Sequence, residues 1–123
     1  MTDAARILVV EDNVMLRRML SEYLMASGFA VFEAGDGGEA VAVARREHPR
    51  LILMDIQLPT MSGLDATRAI RADPDLAGIA VIALTGFVSP EMAAECREAG
   101  CDDYITKPYD MDALLARIHQ RLA

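Results

Sequence analysis

Leu51-Ile52-Leu53-Met54-Asp55-Ile56-Gln57-Leu58-Pro59 decides how the chain is read. Its first four residues form an apolar run too short for an independent helix. Without polar alternation, the run fits a central strand of a parallel sheet, covered on both faces. It stops on an acid, Asp55.

Outward from this strand the pattern repeats. Ile7 to Val10, Ala30 to Phe32, Ile79 to Leu84 and Tyr104 to Thr106 are further short aliphatic or β-branched runs, giving about five strands in all. Between them lie segments with helical spacing: Leu16, Leu20, Tyr23 and Leu24 in the first, and Met111, Leu114, Leu115, Ile118 and Leu122 in the last. Asp36 with Glu39 three residues on, Ser89-Pro90-Glu91 and Asp110 are helix-start signals. Gly28 and Gly100 suit left-handed positions at helix ends, and Pro49 and Pro74 disfavour helix in the residues before them. Alternating strands and helices with short connections predict an α/β fold: a parallel sheet joined by right-handed crossovers, with helices on both faces.

The 123 residues, 53% of them hydrophobic, suit one domain whose core needs no disulfide or structural metal. Twelve Lys and Arg against 19 Asp and Glu give a net charge of -7, which argues against direct nucleic-acid binding and against anionic lipid surfaces. No apolar run approaches the roughly 18 residues of a membrane span. Arg6 precedes only four apolar residues before Glu11 and Asp12, which is no signal peptide. A cytoplasmic protein is expected. Cys96 and Cys101, far in sequence from His48 and His119, make no zinc pattern and read as small buried hydrophobes.

In an open parallel sheet, ligands gather outside the carboxyl ends of the strands. Glu11 and Asp12 follow the first strand, Asp55 the third, Thr85 the fourth and Lys107 the fifth, so all fall on that edge. Singly, each has an ordinary explanation as a helix cap, a loop residue or a solvated charge. Together, three carboxylates in one crevice repel by roughly 4 kcal/mol per pair at 4 Å and an effective dielectric near 20. One lysine does not neutralise three acids. A hard divalent cation with oxygen ligands does, and Mg²⁺ takes one or two carboxylates while keeping waters. Phosphate held between such a cation and Lys107 would stand in line with Asp55, the best nucleophile candidate.

Val9-Val10-Glu11-Asp12-Asn13, Leu53-Met54-Asp55-Ile56-Gln57-Leu58-Pro59, Ala83-Leu84-Thr85-Gly86 and Thr106-Lys107-Pro108 together resemble the response-regulator receiver family, CheY-like domains of two-component phosphorelay signalling. The likeness spans essentially the whole chain. It implies a flavodoxin-like (βα)5 fold with strand order 2-1-3-4-5. It also implies that Asp12 and Asp55 coordinate Mg²⁺, with Glu11 acting mainly through metal-bound water and Gln57 through its backbone carbonyl. Asp55 would take the phosphoryl group, Lys107 would contact one of its oxygens, and Thr85 would hydrogen-bond another. Tyr104 matches the aromatic switch position, and Lys107-Pro108 matches the family's cis peptide. Gly86 leaves the site open beside Thr85, and Phe87 and Gln57 stand where receivers tune phosphoryl lifetime.

The resemblance further implies a partner histidine kinase or histidine phosphotransfer protein and a downstream protein target. The target would be read through the fourth helix, fifth strand and fifth helix, from Pro90 through Leu122. The chain is expected to be one receiver domain over residues 1–123 without an output domain, monomeric or weakly dimeric on phosphorylation. It is expected to be a switch catalysing its own aspartyl phosphorylation and dephosphorylation rather than an enzyme on other substrates. An aspartyl-nucleophile phosphatase fits less well, because Gln57 stands where those enzymes resemble Asp-x-Asp and an amide cannot act as general acid and base. A flavodoxin-like flavin binder would set the flavin phosphate against Glu11 and Asp12. The intact acidic cluster and Lys107 weigh against a phosphorylation-independent interaction module.

Overall fold

The computed structural model describes residues 4–86 and 89–123. Phe87, singled out above, lies outside them. The order is β1 (Arg6–Val10), α1 (Val14–Ala26), β2 (Ala30–Ala34), α2 (Gly37–Glu47), β3 (Leu51–Asp55), α3 (Gly63–Ala72), β4 (Ala80–Thr85), α4 (Pro90–Ala99), β5 (Asp103–Thr106) and α5 (Met111–Leu122). The strands form one parallel sheet in the order β2-β1-β3-β4-β5, the arrangement the resemblance implies. Asp55 and Thr85 are the last residues of β3 and β4 rather than the first residues beyond them. Their backbones are therefore fixed by sheet pairing.

Strand alternation divides the core into two layers. Ile7, Val9, Leu51, Leu53, Ile82 and Leu84 pack with Leu20 and Leu24 of α1 and Leu114 and Ile118 of α5. Leu8, Val10, Ile52, Met54 and Val81 pack on the other face with Ala40 and Ala44 of α2 and Ala66 and Ile70 of α3. Ala83 joins Leu64, Cys96 and Ala99 toward α4 on that same face. All five residues of β3 are buried. This accounts for its uninterrupted apolarity up to Asp55.

Local signals place the helices. The carboxylate of Asp36 accepts from the Glu39 N–H at 2.8 Å, and Ser89 Oγ accepts from the Met92 N–H at 3.0 Å ahead of Pro90. Asp110 caps α5. Gly28 and Gly100 have φ of 98° and 104°, conformations a side chain disfavours. His48 also ends α2 left-handed, at φ 46°, where Pro49 prevents continuation.

The first helix departs from its apolar spacing. Leu20 and Leu24 are buried, but Leu16 is 48% exposed alongside Val14, Met15 and Met19. The opening turns of α1 flank the carboxyl edge of the sheet, beyond the layer that covers Leu20 and Leu24.

Candidate functional site at the carboxyl edge of the sheet

Strand phase determines which side chains meet. Glu11 continues the alternation of Ile7 and Val9, Asp55 that of Leu51 and Leu53, and Lys107 that of Ile105, all of which face α1 and α5. The three therefore emerge on one side of the sheet edge. Lys107 Nζ donates to Asp55 Oδ2 at 2.8 Å and to Glu11 Oε1 at 3.0 Å, so the lysine, whose ordinary explanation was a solvated charge, is a bridge between two acids. Glu11 and Asp55 are 3% and 4% exposed. Burial alone would lower the pKa of Lys107, but hydrogen bonds and charge from Asp55 and Glu11 prevail and raise it. Burial pushes the nearby Tyr109 hydroxyl up; Lys107 opposes the rise, and Glu11 and Asp55 add to it.

Backbone contacts fix both acids. Asp55 Oδ1 accepts from the Gln57 N–H at 3.0 Å, and Glu11 Oε2 accepts from the Asn13 N–H at 3.2 Å. Asn13, not Asp12, caps α1, its side chain accepting from the Leu16 N–H at 3.0 Å. Asp12 is thereby left out of capping and exposed at the mouth of the site. Oxygens of Glu11, Asp12 and Asp55 lie within 4.8 Å of one another. These hard donors suit octahedral Mg²⁺, whose ligands at about 2.0–2.1 Å stand at most about 4.2 Å apart. Asp12 is the exposed member of the three, while Glu11 and Asp55 are buried. The side chain of Gln57 is exposed.

Thr85 belongs to the opposite phase, that of Ala83, and is 3% exposed. Its carbonyl accepts from the Lys107 N–H at 2.7 Å, tying the ends of β4 and β5 together. Tyr104 pairs with Ala83 across the sheet and packs, half-buried, against the cluster containing Ile56, Leu64 and Cys96. Thr85 and Tyr104 thus share the α4 face, while Asp55 and Lys107 meet on the other. The Lys107-Pro108 peptide bond is cis.

Two supporting residues escaped sequence reading. A Cβ on Gly63 would collide with the Asp55 carbonyl, and the Gly63 N–H donates to the Ile56 carbonyl at 2.9 Å. Only glycine lets α3 start so close to the Asp55 backbone; a poor helix former opening a helix was the available signal. Arg17 donates to the Glu11 carbonyl at 2.9 Å and to Glu33 Oε1 at 3.0 Å, bracing the β1–α1 turn.

A parallel 2-1-3-4-5 sheet with acids from the ends of β1 and β3 and a lysine from beyond β5 defines a CheY-like receiver. The chain belongs to the response regulator receiver domain family, which matches residues 7–119, and so to the receiver class of two-component signalling. Among its relatives, the polar-differentiation response regulator DivK of Brucella ovis is 38% identical over 116 residues, 94% of each chain. The chemotaxis protein CheY4 of Vibrio cholerae superposes with a TM-score of 0.91 at 30% identity, covering 95% of this chain and 98% of that one. The receiver domain of a Pseudomonas aeruginosa sensor histidine kinase, solved with magnesium in its active-site cleft, is 38% identical with a TM-score of 0.86, covering 96% of each chain.

Among the described residues, no helix is long and apolar enough to cross a membrane.

Proposed function

We propose that Asp55 accepts a phosphoryl group from a phosphohistidine on a sensor kinase or phosphotransfer protein. Mg²⁺ would be held by Asp12, Asp55 and the Gln57 backbone carbonyl, with Glu11 acting mainly through water. The observation that carries this reading is Lys107 Nζ standing 2.8 Å from Asp55 Oδ2 at the mouth of an acidic crevice. When bound, the metal supplies positive charge against the phosphoryl oxygens.

In this reading an Asp55 carboxylate oxygen attacks phosphorus in line as the bond to the histidine nitrogen breaks. Lys107 transfers one of its carboxylate contacts to a phosphoryl oxygen. The Thr85 hydroxyl donates to another, drawing the end of β4 inward. Since Thr85 shares a sheet face with Tyr104, that displacement repacks Tyr104 and biases the surface of α4, β5 and α5 toward a downstream protein target. A shift from 1:99 to 99:1 needs about 5.5 kcal/mol of differential stabilisation. A few hydrogen bonds fit a partial shift better. Gln57, unable to act as general acid and base, favours retention of the phosphoryl group over rapid turnover. The chain on this account is a self-phosphorylating and self-dephosphorylating switch.

The donor approaches over an apolar rim. Leu16, Met19, Pro108 and Met111 line a groove that reaches Glu11 and Lys107, and Leu16 and Met19 are 48% and 56% exposed. A helical protein with an apolar face would rest there and present its phosphohistidine to the crevice.

The test is incubation with Mg²⁺ and a small acyl phosphate, read by intact mass. One phosphoryl group is expected on the wild type and none on Asp55→Asn. A folded wild type that takes up nothing from a donor active on a control receiver overturns the proposal.

A further inference from the structure

The end of α4 brings the two cysteines together. The Cys101 N–H donates to the Cys96 carbonyl at 2.9 Å and the Gly100 N–H to the Arg97 carbonyl at 3.1 Å, with Gly100 left-handed. This is the Schellman pattern, which sets the side chains of its first and last residues against each other. Here both are cysteines, in the run Cys96-Arg97-Glu98-Ala99-Gly100-Cys101.

Cys96 is 1% exposed among Ile56, Leu64, Ala83 and Ala99, and Cys101 packs against that cluster. Both line one surface cavity with Arg97, Asp103 and Tyr104, and Cys101 is the more exposed of the pair. A disulfide needs Cα atoms about 4.4–6.8 Å apart with converging Cβ atoms, and the direct backbone hydrogen bond keeps the two residues adjacent.

We infer that Cys96 and Cys101 are a redox pair that closes to an intrachain disulfide by exchange with a low-molecular-weight disulfide. The sulfur of Cys101, the less buried residue of the pair, attacks one sulfur of the small disulfide, breaking its S–S bond and releasing one small thiol. The Cys96 sulfur then attacks Cys101 in the mixed disulfide and releases the second. Both protein S–H protons leave with the small thiols; the protein loses two electrons and the small disulfide gains them. The new bond staples the last turn of α4 to the chain entering β5, beside Tyr104.

Burial raises both thiols, Cys101 to about 11. The reactive thiolate is scarce at neutral pH, and closure should accelerate about tenfold per pH unit below that value.

The full chain is incubated with oxidised glutathione at mildly alkaline pH, quenched in acid, and examined by intact mass and non-reducing tryptic mapping. The expected product has lost two hydrogens, carries no glutathione, and links peptide 72–97 to peptide 98–117. Cys96→Ser should instead retain one glutathione on Cys101, and Cys101→Ser should react at least about tenfold more slowly than wild type, because its remaining thiol is buried. Three results on the wild type, none depending on how the variants fold, would overturn the inference. These are persistence of both thiols where the urea-unfolded chain oxidises, a stable glutathione adduct, and a disulfide-linked dimer.

Discussion

Replacing Lys107 by Met keeps most of the aliphatic stem and removes the charge between Glu11 and Asp55. The carboxylate side chains are 4% and 5% exposed and the lysine 28%. With the lysine gone, acids whose oxygens lie within 4.8 Å repel by roughly 3.5 kcal/mol at an effective dielectric near 20. Removing one partner of a fully buried pair costs about 3–5 kcal/mol. The partial exposure of Lys107 and the entry of water from the open edge reduce this, so the expected loss is about 2 kcal/mol. Urea unfolding in EDTA at neutral pH and low salt measures it as a lower midpoint with unchanged slope. Adding Glu11→Gln to Lys107→Met should recover about half the loss by relieving the repulsion. A Lys107→Met variant within about 0.5 kcal/mol of wild type, or a double variant that recovers nothing, would refute the electrostatic account of this site.

Further perturbations test its supports. Gly63→Ala should destabilise by about 2 kcal/mol or more by forcing α3 off the Asp55 backbone, read by the same urea titration. Arg71 donates to the carbonyls of Gly100, Ala77 and Ile79 and to Asp102; Arg71→Ala should cost about 2 kcal/mol and loosen the turn before β5, seen as faster amide exchange there. Mg²⁺ should raise the thermal midpoint of wild type by mass action, and Asp12→Ala should shrink that rise. The folded-state pKa of Cys101 is raised from 9.0 to about 11, chiefly by burial. Its contribution to stability is therefore complete below the unfolded value and lost as pH rises through that window, since the unfolded chain releases its proton first. Cys101→Ala should show a shallower alkaline fall in urea midpoint.

The strands were legible because a parallel sheet covered on both faces tolerates unbroken apolar runs, as in Leu51 to Met54. Their order was not: periodicity carries no information about which strands are neighbours, and 2-1-3-4-5 came from the likeness of the motifs alone. The acids and the lysine were legible because each closes or follows a strand on the edge where such sheets bind ligands. Their grouping depended on strand phase, visible only once Ile7, Leu51 and Ile105 were seen to face the same helices. Asp12 and Asn13 are both competent caps, and only the geometry shows that Asn13 serves, leaving Asp12 to the crevice. Leu16 matched the helical stripe yet is exposed, because periodicity does not reveal where the opposing layer ends. Gly63 and Arg71 act on backbone segments that meet only in the folded chain.

The central claim is that Asp55, rather than Glu11 or Asp12, receives the phosphoryl group. The most direct measurement is reductive trapping of the acyl phosphate with borohydride after reaction with a phosphohistidine donor and Mg²⁺, followed by tryptic mapping, since reduction converts an aspartyl phosphate to homoserine. The account predicts homoserine at Asp55 in peptide 51–68 and an unmodified peptide 7–17. Modification of peptide 7–17, with Asp55 recovered intact, would contradict it.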